Sequence, residues 1–377
     1  MPLSALDEEL LAKAVALAHG AIGLSEPNPR VGCIVHDAAG LLAGQGFTQA
    51  AGLGHAEVMA LRAAADEGKS VAGGTAWVSL EPCAHHGRTP PCCDALIAAG
   101  LARVVVAALD PFDAVAGRGV ARMRAAGITV DLPPEGPTKQ AAFELNIGFF
   151  SRVVRCRPWV RLKVATSLDG KTALPNGTSQ WITCAESRAD GHRWRHRASA
   201  ILTGIGTVLA DDPRLDVRDV QALHQPHRIV LDSKLSVPST ARVLQPPGRA
   251  WVVHASGTVE RERDLTARGV EVSAVPGANG QVDLGALLTC LADAGVNELH
   301  VEAGATLNAA LLQAGLVDEL LIYMAPKLLG PGRDFAALLP LSDLSEVPNF
   351  EFTDITLIGT DLRLIARPRG RAQFVVD

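Results

Sequence analysis

The chain has 377 residues and a mass of 39.4 kDa, too long for one ordinary hydrophobic core, so two domains are expected. Its 48% hydrophobic and 20% charged residues are those of a soluble folded chain, which excludes a disordered or fibrous one. The 35 basic against 40 acidic side chains leave a net charge of −5, which offers no general attraction to nucleic acid or to an anionic membrane.

The opening MPLSALDEELL has no basic stretch followed by an apolar core, so no secretory signal is expected. No window of about eighteen residues is free of charge, which argues against a membrane span. Seven cysteines, an odd number, then suggest reduced thiols in a cytoplasm, with a metal site or buried thiols as the competing explanations.

In chain order, DEELLAKAVALAHGAIG has the apolar spacing of a helix, with acidic residues in its first turn. VGCIVHDAAGLLAGQGF predicts two strands around a turn. HAEVMALRAAADEG predicts a helix ended by Gly68, and GTAWVSLEP a strand. PCCDALIAAG predicts a helix begun by Pro90 and Pro91 and ended by Gly100, followed by the strand RVVVAALDP. The helix RGVARMRAAG and the strand ITVDL complete a series that predicts a largely parallel sheet with helices on both faces. The basic stretch FFSRVVRCRPWV contains Pro158, and a domain boundary is placed between residues 148 and 158, giving domains 1–150 and 157–377. Beyond it the strands WVRLKVATS, SAILTGI, HRIVLDS, AWVVHAS, ELHVEAG, ELLIYMAPKLL and ITLIGTDLRLIA alternate with helices as a second α/β domain.

Chemistry concentrates first in LEPCAHHGRTPPCC, Leu80 to Cys93, which holds three cysteines and two histidines. Upstream, GLGHAEV places His55 and Glu57 at the mouth of a helix. One imidazole and two thiolates bind zinc tetrahedrally with a fourth position left for water, and a carboxylate that is not a ligand can then shuttle that water's proton. Helix positions two apart point about 200° away from each other, so His55 and Glu57 converge only if His55 sits at the irregular first turn. A structural zinc site would instead recruit His85, His86 or Cys93 as a fourth ligand and leave Glu57 without a role.

The combination PNPRVGCIV, HAEV and LEPCAHHGRTPPC resembles the zinc nucleobase deaminases, with eight residues between Cys83 and Cys92 where the common pattern has two. More closely, it resembles the deaminase domain of the bifunctional riboflavin-biosynthesis deaminase-reductases. The resemblance implies a cytidine-deaminase-like three-layer α/β/α domain in which His55, Cys83 and Cys92 hold Zn2+ and Glu57 is the catalytic proton shuttle. It also implies that Asn28, His85, Arg88 and Asp110 contact the substrate, with Cys93 a neighbour of the metal and not a ligand. The family commonly reads DPNP where this chain reads DPFD, so Phe112 replaces an asparagine and its polar contact is not expected here.

No complete G-x-G-x-x-G follows a strand, since TGIGTVL has Leu209 at the third position, and a Rossmann reading is weak. The segments LKVATSLDGKTA, SQWIT, TGIGTVLADDPRL, RIVLDS and VEAGATLNAALLQAGLVDEL resemble, in order, the reductase domain of the same family. That implies a dihydrofolate-reductase-like α/β domain that binds NADPH through Ala165, Trp181, Thr207, Asp211, Ser233 and Gly304. Substrate contacts are implied for Lys163, Ser179, Arg195, Leu215, Arg218 and Glu302. Arg195 and Arg218 suit a ribose phosphate because guanidinium offers paired donors to its oxygens. The resemblance implies successive deamination and NADPH-dependent reduction of a pyrimidine ribosylamino phosphate by a cytoplasmic homo-oligomer, dimer or tetramer. Two other classes were weighed. A nucleic-acid-editing deaminase is disfavoured by the acidic balance and a single tyrosine. A zinc-stabilised binding protein would give Glu57 no role.

Overall fold

The computed structural model describes residues 3–87, 89–112, 115–220, 222–340, 342–343 and 347–372. The chain divides into two compact units, one ending at Arg155 and the other beginning at Cys156.

In the first unit, α1 (Ala5–Ala18) leads into the hairpin β1 (Gly32–His36) and β2 (Leu42–Phe47), then α2 (Ala56–Asp66) and β3 (Thr75–Val78). After these come α3 (Cys92–Ala98), β4 (Arg103–Val106), α4 (Arg118–Ala125) and β5 (Thr129–Asp131), with α5 (Pro137–Leu145) and α6 (Ile147–Arg155) at the end. The sheet order is β2-β1-β3-β4-β5. The sheet is mixed, not largely parallel: β1 runs antiparallel to both β2 and β3, and only β3-β4 and β4-β5 are parallel. The physical reason is the connection at Asp37–Leu41, too short for a parallel crossover, which forces a hairpin. Helices α5 and α6 fill a region where the sequence pattern alone names no element.

Two glycine contacts show how the layers form. A side chain on Gly32 would meet the Ala14 carbonyl at 2.0 Å, so α1 lies directly on that face of β1. On the other face, Gly44 and Gly46, opposite Val35 and Cys33, let α2 come within 2.2 Å and 2.5 Å of where their side chains would stand. Helices α1 and α2 therefore sandwich the sheet in three layers.

The second unit is built on a nine-stranded sheet of order β11-β10-β9-β8-β12-β6-β13-β16-β15. Its elements are β6 (Trp159–Ser167), β7 (Lys171–Ala173), α7 (Ala185–Arg197), β8 (Ala200–Gly204), α8 (Ile205–Asp211), β9 (His227–Leu231) and β10 (Ala250–His254). Then follow α9 (Val259–Ala267), β11 (Glu271–Ala274), α10 (Leu284–Asp293), β12 (Glu298–Val301), α11 (Ala305–Gln313) and β13 (Glu319–Ala325). The short β14 (Arg333–Asp334), β15 (Phe350–Ile358) and β16 (Asp361–Pro368) end the unit. All pairings from β11 to β13 are parallel, and β13-β16 and β16-β15 are antiparallel. Both faces of the parallel part are buried, which is why its strands read as unbroken apolar runs. Leu202, Ile229, Val253 and Leu299 pack with α10 on one face, while Ile201, Val230 and Val252 pack with Val208 and Leu265 on the other.

The run ITLIGTDLRLIA, expected as one strand, is a hairpin: Ile358 pairs with Asp361 across Gly359 and Thr360. Gly359 supplies the positive φ of 58° that a two-residue turn requires. Strands β7, β11 and β14 also lie outside the expected set, being two to four residues long. No helix among the described residues is long and apolar enough to cross a membrane.

Candidate active sites

His55 is the N-cap of α2, with extended backbone (φ −75°, ψ 169°), so its imidazole leaves the helix axis before the first turn. That departure lets it share a site with Glu57, two residues on. Its Nδ1 lies 3.2 Å from Cys92 Sγ at the start of α3 and 3.7 Å from Cys83 Sγ in the loop after β3. The three ligand atoms fall within 4.8 Å of one another. The Cys92 backbone N–H donates to Cys83 Sγ at 3.3 Å. Hydrogen bonds from Cys92 and then His55 lower the Cys83 thiol to about 4, against the opposing effect of burial, while Cys92 is raised by its contact with Cys83 and by burial. Two cysteine sulfurs, which bind as thiolates, beside one imidazole are a donor set that Zn2+ takes, so the residues present fit the metal. Cys93 points elsewhere, its Sγ 3.9 Å from Asp94.

Glu57 is buried at 3% exposure, and its carboxyl is pushed up to about 7 by burial and by the neighbouring Cys83. It opens on a cavity of about 310 Å³, whose walls include Asn28, His55, Cys83, His85, Asp110, Phe112 and Arg152. Asn28 is fixed between two prolines: its N–H donates to Ser25 O, and its own carbonyl accepts from Ser25 Oγ. Burial raises the Asp110 carboxyl to about 7, even though it accepts the Phe112 N–H at 2.8 Å. Arg88, expected among the substrate contacts, lies outside the described residues.

Glu81 escapes the sequence reading as more than part of a motif. Its buried carboxylate accepts the backbone N–H groups of Asp110, Gly117 and Val120, and so pins the loop that carries Asp110. Gly119 makes this possible, since a side chain there would meet the Pro82 carbonyl at 2.1 Å. The remaining signal in sequence was a lone acidic residue within an apolar strand end. Arg152 was passed over as one arginine in a basic stretch.

In the second unit, Thr207, Ser233, Glu302 and Gly304 follow the carboxyl ends of β8, β9 and β12, where open parallel sheets place ligands. The turns β8-α8 and β12-α11 stand side by side, and a side chain on Gly304 would lie 3.7 Å from Thr207 Oγ1. Ser233 follows β9, with its hydroxyl donating to Gln281 at 3.2 Å. Glu302 grips Arg195 through two bonds of 2.5 and 2.9 Å, and Arg195 also donates to the Asp216 carbonyl at 3.0 Å. Arg218 pairs with the Asp216 carboxylate. Burial lowers the Lys163 ammonium against the attraction of Glu302, and its Nζ lies 5.8 Å from the Tyr323 ring centre. Ala165 pairs with Tyr323 across β6 and β13.

The structure does not bring every expected residue into that network. Leu215 has left-handed backbone (φ 51°) and a side chain in the core, so any ligand contact falls to its backbone. Trp181 is 63% exposed under the Arg188 guanidinium, and Lys327 donates to its carbonyl. Asp211 is exposed at the end of α8. Among the described residues, Ser179, Trp181 and Asp211 have no hydrogen bond or ion pair to the Arg195–Glu302 network. His300, fully buried with Nε2 3.3 Å from Glu302, is a neighbour that sequence gives no reason to select.

Fold and site together define a two-unit enzyme, a zinc-dependent deaminase followed by a reductase. Residues 4–108 match the cytidine and deoxycytidylate deaminase zinc-binding region, and residues 158–364 match the RibD C-terminal domain. The chain is 46% identical to the riboflavin biosynthesis protein RibD of Escherichia coli, over 95% of this chain and 98% of that one. Its identity to the Aquifex aeolicus RibD is 41%, over 88% and 90%. A solved RibD of Acinetobacter baumannii superposes with a TM-score of 0.87 at 39% identity, covering 96% of this chain and 98% of that one. The diaminohydroxyphosphoribosylaminopyrimidine deaminase/5-amino-6-(5-phosphoribosylamino)uracil reductase of Thermotoga maritima gives 0.84 at 32% identity, covering 96% and 99%. The chain belongs to the RibD family, the bifunctional deaminase-reductases of riboflavin biosynthesis, with Zn2+ and NADPH as cofactors.

Proposed function

We propose that the first unit deaminates a diaminohydroxyphosphoribosylaminopyrimidine and that the second reduces the resulting 5-amino-6-(5-phosphoribosylamino)uracil to the ribityl phosphate. The observation that carries the first half is the cluster of His55, Cys83 and Cys92, with His55, Cys83 and Glu57 lining one cavity. His55, Cys83 and Cys92 hold Zn2+, which when bound makes water a nucleophile near neutral pH. Glu57 takes the proton from the attacking water and delivers it to the departing nitrogen. A C–O bond forms, the C–N bond breaks and ammonia leaves. Asn28, His85, Arg88 and Asp110 hold the pyrimidine and its sugar phosphate.

In the second unit, bound NADPH would supply the hydride that C1′ of the ribose accepts as its bond to the ring oxygen breaks. The ring oxygen then needs a proton. Lys163 is favoured as its source because burial and the nearby Arg195 charge weaken its hold on the proton, against the opposing attraction of Glu302. Asp211 is exposed and outside that network. Ala165, Trp181, Thr207, Asp211, Ser233 and Gly304 form the cofactor side; Ser179, Arg195, Leu215, Arg218 and Glu302 form the substrate side with Lys163.

The seven cysteines, all free, suit a reducing compartment and support a cytoplasmic location. Its net charge of −5 speaks against a nucleic-acid partner. The exposed Phe352, Ile355 and Leu357 on edge strand β15 support a homo-oligomer, dimer or tetramer. Glu57→Gln tests the deaminase assignment. It is expected to keep zinc and lose about 10²- to 10⁴-fold in ammonia release, whereas unchanged release would remove Glu57 from the proton transfer.

A further inference from the structure

We propose that Phe112 is a positioning residue of the deaminase cavity, holding the His85 imidazole in the orientation in which it meets the substrate. The inference rests on the reading of that cavity as a deaminase site.

His85 lines the cavity but has no hydrogen bond among the described residues, and its Nδ1 is sealed from water without a partner. A cavity histidine is ordinarily oriented by a bond to its second nitrogen, and no described residue supplies that bond here. What the imidazole does meet is the Phe112 ring, edge to face, with centroids 5.6 Å apart and planes 66° apart. That is a favourable arrangement for two aromatic rings.

Phe112 is 42% exposed and lines the same cavity as His85. Its backbone is nevertheless tightly held. The N–H donates to Asp110 Oδ1, and the carbonyl accepts from the Val115 and Ala116 N–H groups at 2.6 and 2.9 Å. Glu81 in turn holds the N–H groups of Asp110 and Gly117 on either side. The ring is thus presented to His85 from a backbone held by hydrogen bonds at Asp110, Phe112 and Gly117. An aromatic at this position replaces a polar substrate contact with a contact to a residue that itself touches the substrate.

The test is a double-mutant cycle on the zinc-loaded full chain, reading KM and kcat for ammonia release together with product affinity by calorimetry. Phe112→Leu is expected to raise KM and the product Kd about five-fold, with kcat and zinc content nearly unchanged. Phe112→Tyr, which keeps the ring, should restore both constants. In a His85→Ala background, Phe112→Leu should have no further effect. The inference is overturned if Phe112→Leu weakens binding as much without His85 as with it, or if Phe112→Tyr is as weak as Phe112→Leu. A wild-type chain that binds zinc but releases no ammonia would instead overturn the deaminase reading.

Discussion

Glu57 and Asp110 are carboxyls whose burial raises them to about 7, from ordinary values of 4.5 and 3.8. A group with a raised folded value binds more protons folded than unfolded between those limits. The metal-free chain should therefore lose stability as pH rises from about 4 to 7, by up to about 1.4 kcal/mol per pH unit for each group. Urea unfolding of metal-free protein at pH 5, 6 and 7 reads this slope, and Glu57→Gln should remove its own share. A flat profile would mean that these carboxyls are hydrated in solution. The same residues show what a sequence conceals. His55, Cys83 and Cys92 were legible because their types and spacing are rare together, whereas the roles of Glu81 and His300 depend on partners brought near by the fold.

At the scale of elements, α2 positions the site, because His55 is its N-cap and Glu57 lies in its first turn. Its approach to β2 depends on glycine: a side chain on Gly46 would stand 2.5 Å from Met59 Cβ and 2.8 Å from the Ala60 nitrogen. Gly46→Val should cost about 1–3 kcal/mol by overpacking and weaken zinc retention against a chelator, because α2 must shift. Unchanged zinc retention in the destabilised variant would show that the ligands are placed independently of that packing. Most elements were legible from apolar periodicity. The direction of the first sheet was not, since alternation of helices and strands does not record how β1 meets its neighbours. The hairpin β15-β16 was hidden because Gly359 and Thr360 interrupt an otherwise continuous β pattern by only two residues.

For the molecule as a whole, each site is assembled from residues of a single unit, so the two activities should be separable. Cys83→Ser should abolish zinc binding and ammonia release, yet leave NADPH consumption intact when the deaminated pyrimidine phosphate is supplied. Arg195→Ala should do the reverse: it leaves Glu302 without its bidentate partner, and reduction should fall at least ten-fold with deamination unchanged. The division at Arg155 and Cys156 lies near the basic, proline-marked stretch visible in sequence. The residues proposed for the reductase site come from segments spread between Lys163 and Gly304, and composition could not have gathered them. The most direct measurement supplies the zinc-loaded chain with the diaminopyrimidine ribosylamino phosphate and NADPH, and follows ammonia release and NADPH oxidation separately. Ammonia should appear first, followed by one NADPH oxidised for each ammonia released. Ammonia without NADPH oxidation would contradict this.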